Sequence, residues 1–351
     1  MSEFYLRQAS VPSLGAEALA RLRAATVVVA GVGGVGSSAA YHLTRSGVGR
    51  IRLIDQDIIE PSNLQRIHSA TRDDLFHPKA EVLSQRLSEF DRSSQIESVV
   101  DTITQTNADS LLSDATLVLD GLDNFRTRYI LNRFSIRTKT AYLFASAVAQ
   151  QGHLALLHPP NTPCLECIMP HIADRREESC ETLGVTPTIT GTIGAMTADA
   201  AVQFISNGGT RLTEHLMTLD LSGPSVILSK VHKRKDCTAC GDAAKQDHKP
   251  EAFPSVTLLC GERTANAVPP TPLTVQLSRV QAAMSAEHIL ASSESVLVFR
   301  KGVHTISLFR NGRVLIGNVD EETEASRIVG EIWQNLAKTG YTDIIPLNHV
   351  S

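Results

Sequence analysis

Thr26-Val27-Val28-Val29-Ala30-Gly31-Val32-Gly33-Gly34-Val35-Gly36 decides the fold. Residues 26–31 are β-branched and apolar nearly throughout, the composition of a strand buried on both faces. Gly31, Gly33, Gly34 and Gly36 follow at G-x-G-x-x-G spacing, and a helix pattern runs from Ser37 to Arg45. Glycines let a backbone approach phosphate closely, and the helix N-terminus favours its negative charge. A second strand, Ile51–Ile54, ends at Asp55, close to the spacing of an acid that binds ribose hydroxyls. The bland alternative is a tight turn that only packs helix on strand. The pattern alone does not choose between NAD, FAD and ATP, so an NAD-dependent oxidoreductase is the first rival reading.

Working outward, helix-like sequence spans about 79–90 and 125–138, with strands expected at 95–100, 116–120 and 141–146. Strands alternating with helices predict an α/β fold: a Rossmann-like, mostly parallel sheet with helices on both faces. After Gly152 the rhythm changes to a strand at 153–157, a polar loop over 170–187 and an Ala- and Thr-rich helix over 188–205. Strands follow at 216–221 and 226–231. Residues 242–254 read as a linker. The last hundred residues read as a small α+β domain with strands at 295–300, 303–309 and 313–316 and a helix at 321–338. Two-residue turns are expected at Lys301-Gly302 and Asn311-Gly312. The domains expected are therefore 1–248 and 249–351.

Composition narrows the function classes. The chain has 351 residues, 42% hydrophobic and 20% charged, which is globular. Thirty-three Lys and Arg against 37 Asp and Glu give a net charge of −4, no footprint for nucleic acid. No apolar run reaches about 18 residues, so no membrane span is expected. The first residues lack a signal-peptide core, and the default compartment is the cytoplasm.

The residues around the glycine loop discriminate among nucleotides. Asp57, Asn63, Gln65, Arg66 and Lys79 follow Asp55 closely, and Asp120-Gly121-Leu122-Asp123-Asn124 ends a later strand. A dinucleotide fold has no general need for such a dense polar and cationic segment. A triphosphate does: Arg forks oxygens and Lys neutralises charge. A carboxylate beside phosphates usually holds Mg²⁺. Any one of these residues alone reads equally well as a solvated charge; their joint placement at strand ends does not.

Arg7-Gln8, the Gly31–Gly36 loop, Asp55-x-Asp57, Ser62-Asn63-Leu64-Gln65-Arg66, Lys79 after Pro78 and Asp120-x-x-Asp123-Asn124 together resemble the ThiF/MoeB/HesA family of ubiquitin-activating-enzyme-like adenylyltransferases. The resemblance spans about residues 3–241. It implies ATP-dependent adenylation of the C-terminal glycine of a ubiquitin-like or sulfur-carrier protein, a small β-grasp partner ending in Gly-Gly. It implies that Asp55 holds the ribose, that Asn63, Arg66 and Lys79 contact phosphates, and that Asp123 holds Mg²⁺. Arg7 would reach the γ-phosphate in the other subunit of a homodimer. Gly121 departs from the Cys or Ala often found there, and Phe4 from a frequent Arg. The chemistry agrees: a carboxylate nucleophile is already ionised at neutral pH, so charge neutralisation and alignment suffice.

Six cysteines are too few for a disulfide scaffold, but four form two C-x-x-C pairs, Cys164/Cys167 and Cys237/Cys240. Two such knuckles make a tetrahedral Zn²⁺ site, closed and structural, and the resemblance implies the same ligands. A redox-active pair, or a lineage that has lost its zinc, are the alternatives. Cys180 lies in a polar loop, and family members carry a cysteine here that in some accepts the carrier as a thioester or acyl disulfide. Arg175 and Arg176 favour a thiolate, while Glu177, Glu178 and Glu181 oppose it. The alternatives are a bystander Cys180 and adenylation without a covalent intermediate. Cys260, in an apolar stretch, reads as buried filler and as the rival acceptor. The C-terminal domain lacks the further reactive cysteine of a fused sulfurtransferase. It would dock the carrier, the other subunit or a partner such as a conjugating enzyme or sulfurtransferase. A nucleotide-binding scaffold without activity is the non-enzyme reading.

Overall fold

The computed structural model describes residues 3–90, 92–170, 172, 183–242, 256–258, 263–271 and 273–344. Cys180, Arg175, Arg176, Cys260 and most of the expected linker lie outside the described residues. The chain divides into two compact units; apart from Phe76–Pro78, the described residues up to Asp242 form the first, and those from Val256 onward belong to the second.

The first unit is built on an eight-stranded sheet. Its strands are β1 Thr26–Ala30, β2 Arg50–Ile54, β3 Gln95–Val99, β4 Leu117–Asp120, β5 Ala141–Val148, β6 Gln151–Leu157, β7 His215–Asp220 and β8 Ser225–Lys230, in spatial order β3-β2-β1-β4-β5-β6-β7-β8. From β3 to β5 every pairing is parallel, and from β5 to β8 every pairing is antiparallel. β1 and β4 are buried at every position, which is why their sequences are continuously apolar rather than alternating. The order reverses between β1 and β4, so the crevice at their carboxyl ends is the place where an open α/β sheet takes its ligand.

On one face, the helix Gly34–Arg45 packs against the long helix Pro187–Asn207. The apolar core beneath them takes in Val27, Val29, Leu119, Leu143, Leu154, Ile189 and Ile193. Two small contacts bring the helices together. A Cβ on Gly34 would stand 2.9 Å from the Thr190 side chain, and one on Gly194 would stand 2.5 Å from Ser38. The long helix begins at Pro187 behind Thr186, whose hydroxyl accepts the Ile189 N–H, and it stops at Gly208 with φ +78°. Strand β8 is exposed at all six positions, Val226, Ile227 and Leu228 among them.

The second unit has a six-stranded antiparallel sheet, β12-β13-β14-β15-β10-β9, with β9 Val256–Leu258, β10 Thr264–Ala267, β12 Ile289–Ser292, β13 Val296–Lys301, β14 His304–Phe309 and β15 Val314–Gly317. A separate pair joins β11 Leu273–Val275 to β16 Thr342–Ile344. The helix Glu322–Thr339 contributes Ala325, Ile328, Val329, Ile332 and Leu336 to this unit's own core. Both expected turns shift. Lys301 pairs with His304, so the first turn is Gly302-Val303. Phe309 closes on Arg313, so Asn311-Gly312 lies in a three-residue loop, with Gly312 at φ +80°. The short strands β9, β10, β11, β12 and β16 escape the sequence reading because three or four residues carry too little alternation to register.

Candidate functional site

The glycine loop is an interlock of backbones. Gly31 takes φ +84°, and its N–H donates to the Ile54 carbonyl at 2.8 Å. A Cβ on Gly36 would stand 1.9 Å from the Gly31 oxygen. A Cβ on Gly121 would stand 2.3 Å from the same oxygen and 2.8 Å from the Gly36 Cα. A side chain at residue 121 would therefore force this loop to shift, a reason for Gly121 that is invisible in the sequence. Gly33 differs: a Cβ there would meet no protein atom within 4 Å. That open side leaves room for a ligand's phosphates to approach the first turn of the helix.

Asp55 ends β2 with its carboxylate turned into this loop. One oxygen accepts the Val32 N–H and the other the Asp57 N–H, both at 2.8 Å. Burial pushes its pKa up to about 6, reinforced by Asp57 and opposed by Lys79 and by these N–H bonds. Lys79 opens the helix Lys79–Phe90 and donates to Asp57 at 3.1 Å. Burial works against its charge, but the carboxylates of Asp57, Asp55 and Asp123 outweigh it and hold its pKa above the usual range. Three carboxylates and one lysine thus converge beside the loop.

The next turn carries the other polar residues. Asn63 is buried; its Oδ1 accepts the Glu60 N–H at 3.2 Å, and its amide donates to the Ser62 hydroxyl at 3.3 Å. Arg66 folds back to the Ser62 carbonyl at 2.8 Å. Gln65 reaches across to the Val185 carbonyl at 3.3 Å, where the segment leading to the long helix joins the sheet beside Ala149. Ala149 and this segment exchange backbone bonds, Ala149 N–H to Gly184 and Thr186 N–H to Ala149.

The Asp120–Asn124 stretch divides its labour. Asp120 is fully buried, whereas Asp123 is exposed at the carboxyl end of β4. Asn124 caps the helix Phe125–Thr138, accepting the Thr127 N–H at 2.9 Å, and its amide donates to Asp123 at 3.2 Å. Mg²⁺ takes one or two carboxylates and fills its octahedron with phosphate oxygens and water. The exposed Asp123 carboxylate, close enough to Lys79 to act on its charge, fits that donor set.

Arg7 stands elsewhere. It is exposed, while Tyr5 and Gln8 on either side bond to the Thr44 and Ser46 carbonyls at the C-terminal end of the glycine-loop helix. Twelve residues of helix at 1.5 Å each put that end about 18 Å from the loop.

The four paired cysteines meet. Cys164–Cys167, Cys164–Cys237 and Cys167–Cys240 sulfurs are 3.9, 3.7 and 3.4 Å apart, and all four lie within 4.8 Å of one another. Zn–S bonds of about 2.3 Å in a tetrahedron require sulfurs about 3.8 Å apart, so the cluster fits zinc. A disulfide needs about 2.05 Å, and all four are free thiols. Glu166, between the first pair, is 5% exposed; it accepts from Asn132 and pairs with Arg133, both on the helix Phe125–Thr138, and takes the Thr238 hydroxyl from the second pair. The sequence marked the thiols but not this carboxylate, which looks like any helical glutamate. Among the described residues no helix is long and apolar enough to cross a membrane.

Known proteins resemble this chain. The ThiF family model matches residues 5–241. A sulfur carrier protein adenylyltransferase of Thermus thermophilus is 32% identical over 248 residues, 69% of this chain and 92% of that protein. The heterocyst HesA protein of Trichormus variabilis is 31% identical over 69% of this chain and 90% of its own. The sulfur carrier protein ThiS adenylyltransferase of Bacillus subtilis is 26% identical but spans 93% of this chain and 98% of its own. The crystal structure of E. coli MccB with ATP shares the fold at TM-score 0.60, with 20% identity over 69% of this chain and 75% of that one. With its loop, sheet and paired cysteines all inside the matched span, this chain belongs to the ThiF family, and it is an adenylyltransferase.

Proposed function

We propose that the protein joins ATP to the C-terminal glycine carboxylate of a small ubiquitin-like or sulfur-carrier protein ending in Gly-Gly. A carboxylate oxygen attacks the α-phosphorus, pyrophosphate leaves, and an acyl-adenylate remains. The observation that carries this reading is the meeting of Asp55, Asp57, Lys79 and Asp123 beside the glycine loop. Asp55, already held by the loop's Val32 N–H and by the Asp57 N–H, keeps acceptor capacity for ribose hydroxyls. Lys79 neutralises phosphate charge, and Asn63 and Arg66 supply donors from the adjoining turn; no general base is needed. Mg²⁺ held by Asp123 would neutralise the phosphates and the leaving pyrophosphate. Gln65, Asp57 and Asn124 act by holding the site's shape, and the zinc clamps the two cysteine pairs.

Arg7 completes the site across a homodimer, a reading supported by its position at the far end of the helix within its own chain. Cys180 then receives the acyl group: its thiolate attacks the carbonyl carbon, AMP leaves, and a thioester forms. Residues 1–248 carry this chemistry and 249–351 the docking of a partner. The test is carrier-dependent ATP–pyrophosphate exchange with a protein ending in Gly-Gly. Exchange is expected to survive Cys180→Ala, while the reductant-sensitive adduct disappears. No exchange with any such carrier, or exchange at wild-type rate in Asp123→Ala, overturns the reading. An adduct that survives Cys180→Ala but not Cys260→Ala moves the acceptor.

A further inference from the structure

Beneath the exposed Asp123 lies a buried charged group that the adenylation chemistry does not use. Asp120 is 0% exposed, Tyr142 on β5 is 0% exposed, and Arg128 on the helix Phe125–Thr138 is 4% exposed. The Tyr142 hydroxyl donates to Asp120 Oδ2 at 2.6 Å, and Arg128 Nε donates to the same oxygen at 3.2 Å. The other Asp120 oxygen accepts the Leu122 N–H at 2.9 Å. Arg128 also donates to the Leu122 carbonyl and, at 3.2 Å, to the Ala145 carbonyl on β5. Its guanidinium lies over the Phe125 and Phe144 rings, 5.0 and 5.3 Å from their centroids.

Leu122 is thus held on both sides, by Asp120 at its N–H and by Arg128 at its carbonyl. It is the residue immediately before Asp123. Asn124, immediately after, is held by capping the helix that carries Arg128. A buried ion pair gives little net stability over apolar residues of the same size, because desolvation offsets its attraction. Three groups buried together here therefore call for a reason other than stability. We propose that Arg128 and Tyr142, acting through Asp120, are positioning residues that set where the Asp123 carboxylate stands, and hence how tightly this site takes a divalent cation with its nucleotide. Such supporting contacts orient a ligand without touching the metal, and removing one costs about tenfold in metal affinity.

The inference rests on Asp123 as the metal carboxylate. The experiment uses the full chain with a non-hydrolysable ATP analogue and Mn²⁺ as the probe, its binding read by electron paramagnetic resonance rather than by turnover. Tyr142→Phe removes one hydroxyl and keeps the ring. Its Mn²⁺ half-saturation is expected to rise about tenfold, with the metal-free affinity for the analogue unchanged. Arg128→Lys keeps the charge but not the fork that spans the Asp120 carboxylate and the Leu122 and Ala145 carbonyls, and it is expected to give the same split. A lowered thermal midpoint with wild-type Mn²⁺ saturation in either variant overturns the proposal, because a merely structural role predicts that result. Wild-type Mn²⁺ binding in Asp123→Ala overturns both the proposal and the assignment of Asp123. The split with no carrier-dependent exchange in the wild type supports the proposal while rejecting the carrier substrate.

Discussion

At the residue scale, the two kinds of glycine in the loop make opposite predictions. Gly121→Ala forces a methyl against the Gly31 oxygen, an overpacking that costs about 1–3 kcal/mol. Denaturant unfolding should show that loss. Gly33→Ala meets open space in the protein, so its unfolding midpoint should match wild type while ATP affinity falls. Equal ATP binding by Gly33→Ala and wild type, measured by calorimetry, would reject close approach of the phosphates at this glycine. Asp55 supplies a second prediction. Its pKa of about 6 lies above the ordinary value of about 3.9. Between those values the folded protein binds more protons than the unfolded one, so this carboxyl's contribution is largest below about pH 4 and is lost as pH rises through 6. The two-unit shift corresponds to at most about 3 kcal/mol. Asp55→Asn in the nucleotide-free protein should therefore gain stability relative to wild type between pH 4 and pH 7. A pH-independent difference between the two would reject the raised value.

At the element scale, the helix Phe125–Thr138 joins most of the features above. Its cap borders Asp123, Arg128 grips the loop before it, and Asn132 and Arg133 hold Glu166 between the cysteine pairs. Tyr129 accepts the Ile172 N–H and donates to the Met169 carbonyl, fixing the chain as it leaves the first pair. Purified protein should carry about one zinc per chain by elemental analysis. Glu166→Ala keeps all four thiols but cuts the tie between the pairs, and a lost charged hydrogen bond of this kind costs about 1.5–3 kcal/mol. Zinc release to a chelator should be faster in this variant than in wild type. Unchanged release would mean that the thiols alone organise the site.

At the scale of the whole molecule, Arg7 and the glycine loop occupy opposite ends of one helix. Arg7→Ala and Asp123→Ala should each abolish pyrophosphate exchange as separate homodimers, and mixing them should restore part of it. No recovery in verified mixed dimers would count against action across subunits. Much of this architecture was legible in the sequence. The buried strands β1 and β4, the loop and the paired cysteines are local patterns whose spacing states their chemistry. Asp55, Lys79 and Asp123 were legible by type and order, although their meeting is a property of the parallel sheet. Arg128, Tyr142 and Glu166 were not legible, because a buried ion pair is made by residues that look solvated in one dimension. The first unit's antiparallel strands were foreseen to within a residue or two, whereas the second unit's short strands carried too little pattern.

The interlock of Gly31, Gly36 and Gly121 joins two segments ninety residues apart in the chain. Each leans on another's backbone, so no side chain enters at one position until the chain has moved at a second. Descendants of this sequence meet a cost that depends on order: an alanine at residue 121 carries its full overpacking penalty while the first loop stays closed, and less once that loop has opened. Directed evolution of this pocket by one-residue libraries should deplete substitutions at these three positions, and libraries that vary them in linked pairs should recover more of them.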